Sequence, residues 1–239
     1  MTSPSSNERR AELTASLAAV RRRIVEACVA AGRGHRDVTL IAVTKTFPAS
    51  DVRLLAELGQ RDVAENRDAE AAAKAAELAA DEVPVRWHFV GQLQRNKARS
   101  VVRYADVVQS VDRVPLVAAL ATAVDRYRER PLDVLVQLSL DDAPGRGGVS
   151  PADLPVLVDA VTARPELRLR GLMAVAPLGG DPDVAFARLA EHAAWLRVRQ
   201  PDATMLSAGM TGDLEAAIRH GATHVRVGSG LLGHRAPLG

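Results

Sequence analysis

The sequence predicts an α/β protein, a single-domain (β/α)8 TIM barrel with an extra N-terminal helix. Three observations predict it. Short apolar runs alternate with Ala-, Glu- and Arg-rich helical stretches about eight times, the number a closed parallel barrel needs. At 239 residues, 47% hydrophobic and 25% charged, the chain has the length and composition of a compact barrel with a large core. An open doubly wound sheet would use fewer strands and place a glycine loop after its first strand, where this chain has Lys45-Thr46-Phe47-Pro48. No long Gly/Ser linker, low-complexity tract or repeat divides the chain, so a disordered tail over residues 1–6 and one barrel over residues 7–239 are expected.

The opening Met1-Thr2-Ser3-Pro4-Ser5-Ser6 is polar and lacks the apolar core of a signal peptide, and no later apolar run is long enough to span a bilayer. A short frayed tail and no membrane are expected. From Asn7 to Ala31, Leu13, Leu17, Val20, Ile24 and Cys28 recur at helical spacing with arginines between them, and Gly32 supplies a stop. This is the extra helix. The eight apolar runs that follow predict strands at Val38 to Lys45, Arg61 to Asn66, Arg86 to Gly91, Val107 to Val111, Leu132 to Leu140, Leu169 to Val175, Thr204 to Ala208 and His224 to Gly228.

Composition excludes several functions. The net charge is only +2, so an isoelectric point near 9.0 reflects arginine-heavy titration rather than a surface that demands nucleic acid. An aromatic content of 3% leaves few platforms for stacking bases. The single Cys28 rules out an internal disulfide and a cysteine zinc site, which points to a reducing cytoplasm. Metal-ligand spacing, a G-x-S-x-G elbow and a G-x-x-x-x-G-K loop are all missing from the sequence, so no metal is expected and hydrolase or nucleotide-kinase chemistry has no foothold.

Only three basic residues are lysines, and Lys45 closes the first apolar run. An amine desolvated at the end of a buried strand loses part of its charge and becomes a Schiff-base nucleophile; the alternative is a lysine that snorkels out or pairs with a carboxylate. In a barrel, active-site groups sit at the carboxyl ends of the strands and phosphate on the loops after the last two. Those loops are Ser207-Ala208-Gly209-Met210-Thr211-Gly212-Asp213, in which Thr211 is placed to cap a helix running to His220, and Arg226-Val227-Gly228-Ser229-Gly230. Side by side they form an anion site; singly, each is an ordinary turn. Gly228-Ser229-Gly230-Leu231-Leu232-Gly233 matches the dinucleotide fingerprint, but six residues remain after it and no βαβ unit can follow. Arg226 needs a partner if it points inward, either the pyridine nitrogen of a cofactor or a buried carboxylate such as Glu65. His88 is either an acid–base group or a satisfied core histidine.

Together these segments resemble the pyridoxal-phosphate homeostasis proteins, which are similar to the N-terminal barrel of alanine racemase without its second domain. The resemblance rests on Ile41-Ala42-Val43-Thr44-Lys45-Thr46, Glu65-Asn66, Trp87-His88-Phe89-Val90-Gly91-Gln92-Leu93-Gln94-Arg95-Asn96-Lys97, Gly171-Leu172-Met173, Leu206-Ser207-Ala208-Gly209-Met210-Thr211 and Val225-Arg226-Val227-Gly228-Ser229, in that order. It implies a pyridoxal 5'-phosphate aldimine at Lys45, and phosphate contacts from Ser207, Met210, Thr211, Gly228 and Ser229. It further implies Arg226 near the pyridine nitrogen and Asn66 near the ring, with Arg146 a candidate for the phenolate side. Ala64, Arg67 and Gln92 depart from the family pattern, where Gly, an aromatic and His are usual.

Racemisation needs a second base, which a tyrosine of the other domain supplies in alanine racemase. Here Tyr104 and Tyr127 both fall in predicted helices away from strand ends. An arginine at the pyridine nitrogen also leaves the ring a weaker electron sink. The expectation is therefore a monomeric cytoplasmic protein with no catalytic residue of its own. It holds pyridoxal phosphate, buffers its level and passes it to apo-forms of dependent enzymes. The alternatives are a racemase or lyase using His88 or water as base, and a phosphosugar enzyme of the same fold.

Overall fold

The computed structural model describes residues 6–141 and 147–233. A long helix α1 (Ser6–Ala30) leads into β1 (Thr39–Val43), α2 (Ala49–Glu57), β2 (Asp62–Glu65), α3 (Asp68–Ala80), β3 (Arg86–Phe89), α4 (Ala98–Val101), β4 (Val107–Val111) and α5 (Val114–Tyr127). The second half continues with β5 (Leu132–Gln137), α6 (Leu154–Thr162), β6 (Leu167–Met173), α7 (Pro182–Arg199), β7 (Met205–Ser207), α8 (Leu214–Arg219), β8 (His224–Val227) and α9 (Ser229–Leu232). The strands are all parallel and close in chain order, β8 pairing back onto β1 with Ile41 opposite Arg226. This is the barrel with an extra helix that the sequence predicts.

Several strands are shorter than their apolar runs, and the difference falls at the carboxyl ends. The ladder at β1 stops at Val43, β3 at Phe89 and β5 at Gln137, because there the chain bends out to form the mouth. Beyond β5, Leu138 N–H still donates to the Met173 carbonyl (2.9 Å), so the apolar run goes on past the strand without regular pairing.

Alternation along each strand sorts the side chains into two cores. Val63, Val134, Leu172 and Val225 face the helices and pack with their buried stripes. Val107, Leu135, Met173 and Met205 form a small apolar plug within the barrel. At the amino ends, Arg86, Arg168 and Arg170 gather on Asp133 of β5.

The buried stripe of α1, Leu13, Leu17, Val20, Ile24 and Cys28, is the one read from the sequence, and Gly32 ends the helix at φ +65°. The helix packs on α8 and α9. Arg9 donates to Asp51 (2.7 Å) and to the Leu232 carbonyl (3.1 Å), and Arg23 to Glu215 and to the Thr211 carbonyl (3.0 Å). So α1 fastens the segments after β1, β7 and β8 to one another. Among the described residues no helix is long and apolar enough to cross a membrane.

Candidate functional site

At the first strand end, Thr44 N–H still bonds the Ala64 carbonyl (2.9 Å), after which the backbone turns through Thr46 at φ +69°. A β-branched residue in the left-handed region carries strain of about 1–3 kcal/mol, so something must hold it there. The Thr46 N–H donates to Glu70 Oε1 (2.5 Å). Lys74 Nζ donates to that same oxygen (2.6 Å), to Glu65 Oε1 (2.8 Å) and to the Thr44 carbonyl (2.9 Å), and Thr44 Oγ1 also donates to Glu65 (2.7 Å). Burial pushes the Glu65 carboxyl up, opposed by the bonds from Lys74 and Thr44. This buried cluster between β2 and α3 fixes the turn that carries Lys45. Nothing in the spacing of the sequence announced it.

Lys45 itself lies in the turn beyond β1 and is exposed. The desolvated strand end expected for it is therefore corrected: the ladder stops two residues earlier, and the amine stands at the open mouth. Of the other lysines, Lys74 is buried in its cluster, while Lys97 is exposed and lines, with Asn66 and Arg113, a cavity of about 520 Å³. Asn66 follows β2 directly, and the chain there presses so closely on β3 that a Cβ at Gly91 would stand 2.1 Å from its carbonyl oxygen.

The loops after β7 and β8 touch each other. Thr211 Oγ1 accepts from Gly230 N–H (3.3 Å) and from Ser229 Oγ (3.4 Å), so it staples the two loops together instead of capping α8, as the sequence suggested. α8 starts after Asp213, whose carboxylate accepts the Met210 N–H (2.5 Å). Met210 is exposed at the rim. Gly209, at φ +87°, lets α8 close in, since a Cβ there would lie 2.6 Å from that of Ala217. Gly228 lies against Val43 at the end of β1, and α9 begins at Ser229. Arg146 lies outside the described residues.

Inside the barrel a polar chain crosses from one wall to the other. His88 Nε2 meets Asp62 Oδ1 (3.0 Å), His88 Nδ1 meets Gln109 Nε2 (2.9 Å), Ser207 Oγ donates to Gln109 Oε1 (2.7 Å), and Arg226 Nη1 donates to Ser207 Oγ (2.7 Å). Arg226 Nη2 completes it at the Ala174 carbonyl (2.9 Å). With an amide N–H on its Nδ1, His88 is a neutral imidazole that donates to Asp62, and burial holds its pKa below the usual histidine value. It is thus a satisfied interior residue with both nitrogens engaged, and is not free to act as a base. The Ser207 hydroxyl, expected at the phosphate, is buried and bonded on both sides, to Gln109 and to Arg226. Asp62 and Gln109 are site residues that sequence reasoning missed; inward alternation on β2 and β4 was the available signal.

Arg226 is 4% exposed, and its guanidinium touches a hydroxyl and a carbonyl but, among the described residues, no carboxylate within ion-pair distance. Glu65 is not its partner, being turned toward α3 and Lys74. Burial lowers the guanidinium to about 10, which leaves it charged at neutral pH. Asp213 stabilises the charge from beyond contact distance, against the larger effect of burial. A buried cation with no carboxylate in contact is costly, and a site that keeps one is built to face an acceptor. Neither tyrosine reaches the mouth. Tyr104 sits in the turn after α4 rather than in a helix, donates to Asp68 (3.4 Å), and is pushed far up by burial; Tyr127 lies on the outer face under arginines.

Residues 15–236 match the family described as alanine racemase, N-terminal domain. The chain is 46% identical over 243 residues to the pyridoxal phosphate homeostasis protein of Mycobacterium leprae, covering 95% of this chain and 94% of that one. It is 37% identical over 235 residues to that of Escherichia coli, covering 94% and 97%. The structure of PipY of Synechococcus elongatus with PLP bound superposes with a TM-score of 0.81 at 35% identity, over 92% of this chain and 100% of that one. Alanine racemase of Corynebacterium glutamicum, with a TM-score of 0.63 at 15% identity over 95% of this chain and 62% of that one, shares the fold.

Proposed function

The chain belongs to the pyridoxal phosphate homeostasis protein family, and from that premise we propose that it binds pyridoxal 5'-phosphate covalently at the Lys45 amine. On this reading it buffers or delivers the cofactor and turns over no substrate of its own. The observation that carries the reading is Arg226, a buried guanidinium with no carboxylate at ion-pair distance among the described residues, held at the carboxyl end of β8 between two glycine-bearing loops. A pyridine nitrogen is the kind of neutral acceptor that such a cation suits, because arginine donates without giving up its proton.

The residues fit the cofactor at three points. Lys45 offers an accessible amine on a turn that the buried Lys74 cluster fixes. The loops of Met210, Thr211, Gly228 and Ser229, which the Thr211 staple holds in contact, are suited to the phosphate, and Asn66 stands on the wall between them and β3. Arg226 is held by Ser207 for the ring nitrogen. When bound, the cofactor supplies an aldehyde that condenses with an amine and a ring that withdraws electrons. An arginine opposite the ring nitrogen keeps that nitrogen unprotonated and weakens the withdrawal, and both tyrosines lie away from the mouth. Both features favour holding over turnover. The proposal extends to a monomer in the cytoplasm whose recipients are apo-forms of pyridoxal phosphate enzymes.

The test is the visible absorption spectrum of the purified protein titrated with pyridoxal phosphate. The wild type is expected to develop a yellow band that Lys45→Ala lacks and that resists challenge with amino acids without sustained turnover. A colourless wild type, or steady racemisation or cleavage of an amino acid, overturns the reading.

A further inference from the structure

A groove of about 990 Å³ runs along the outer flank of the barrel between α5 and the segment formed by the Arg95–Lys97 turn and α4. Arg95, Arg99, Arg113 and Arg126 line it, and no carboxylate does. Its floor is small and apolar, made by Ala98, Ala119 and Ala123. Beside it, the guanidinium groups of Arg99, Arg103 and Arg126 stand 5.2, 4.6 and 5.6 Å from the centre of the Tyr127 ring. Among these arginines, Arg113 pairs with Asp112; within the described residues the others form no ion pair.

Like charges gathered round one ring repel, and four arginines here share one groove with no carboxylate in its lining, whereas Arg9 and Arg23 each meet an acid, Asp51 and Glu215. The chain carries a net charge of only +2, so this unmatched cluster is local and does not follow from composition. We propose that the groove docks an acidic polypeptide segment of a partner protein, an amphipathic stretch whose apolar side chains lie on the alanine floor and whose carboxylates meet the arginine rims. Small apolar floors bounded by unpaired charge of one sign are suited to such helix-in-groove or strand docking. A nucleic acid fits less well, because the lining aromatic, Tyr127, already has guanidinium groups over its ring and offers bases little face to stack on. The proposal is independent of the cofactor reading.

Fluorescence anisotropy with a labelled amphipathic glutamate–leucine peptide, a lysine–leucine peptide and a single-stranded oligonucleotide of matched charge tests it on the full chain. Saturable binding of the acidic peptide is expected, weakened about tenfold or more by the combined Arg95→Gln, Arg99→Gln and Arg126→Gln changes and by raised salt, with the other probes binding less tightly. Ala119→Glu, which leaves the arginines in place and fills the floor with a carboxylate, is expected to compete in cis and weaken the peptide as well, so the test survives if the triple variant misfolds. Equal binding by wild type and both variants, no binding at low salt, or tighter binding of the oligonucleotide overturns the proposal.

Discussion

The two charged side chains that define the mouth of this barrel, Lys45 and Arg226, are built in opposite ways. Lys45 hangs exposed from a strained turn after β1, and its support comes from residues around it: Lys74, Glu65 and Glu70 fix the backbone and leave the amine clear. Arg226 is buried within β8, and its support is applied to the guanidinium itself, through Ser207, Gln109, His88 and Asp62. On the proposed reading, the amine forms and releases a bond and so needs access and freedom, whereas the guanidinium meets one fixed ring atom and so needs a rigid seat. The difference separates reactivity from orientation.

The sharpest break between the two sides is expected from Lys45→Ala. Covalent capture of pyridoxal phosphate should vanish, while stability to denaturant should stay within about 0.5 kcal/mol of wild type because an exposed side chain is lost. A large loss of stability would mean that the lysine is a structural member of its turn. Arg226→Met should do the reverse of a usual core change. Affinity for pyridoxal phosphate is expected to fall about tenfold or more, with unfolding free energy no lower than wild type by more than about 1 kcal/mol, because relief from burying the charge offsets the bonds lost to Ser207 and Ala174. A titration calorimeter and a urea melt read the two effects separately.

The pH dependence belongs to the Arg226 side. Burial lowers the His224 imidazole from 6.5 to about 4, and His88 is lowered in the same direction by its own burial. The unfolded chain therefore binds protons that the folded one refuses. Stability is fully present above 6.5 and is lost as pH falls toward 4, by up to about 3 kcal/mol for His224. Urea melts at pH 7 and pH 5 should show a fall that His224→Gln reduces; an unchanged difference would remove His224 as its source. The smallest effect on cofactor binding is expected from Gln109→Leu, which leaves His88 Nδ1 and the Ser207 hydroxyl short of a partner. It should cost about 1–3 kcal/mol and weaken cofactor binding less than Arg226→Met does.

The barrel was legible in the sequence because its signal is repeated: eight apolar runs separated by helical stretches leave little choice of architecture, and α1 announces itself by Leu13, Leu17, Val20, Ile24 and Cys28. Strand ends were less legible, because Val43, Thr44 and Lys45 continue one apolar run while the hydrogen-bond ladder stops within it. That is why Lys45 was expected in a desolvated strand and stands instead on an exposed turn. The contact between the β7 and β8 loops was foreseen from their small residues. The particular bonds were not, since Thr211 had two available roles, as helix cap or as staple, and only packing decides between them. The interior chain joins side chains from five strands, Asp62, His88, Gln109, Ser207 and Arg226, a relation that no local pattern encodes. The same holds for the Lys74 cluster, where a lysine in an alanine-rich helix looks like ordinary surface until Glu65 is placed behind it.

The central claim is that one lysine of three carries the cofactor, and peptide mapping by mass spectrometry after borohydride reduction of the loaded protein tests it most directly. The account predicts a single reduced adduct, on the peptide containing Lys45, with Lys74 unmodified because it is buried against Glu65 and Glu70. An adduct on Lys97, the other exposed amine near Asn66, or modification spread over several amines at equal yield, would contradict it.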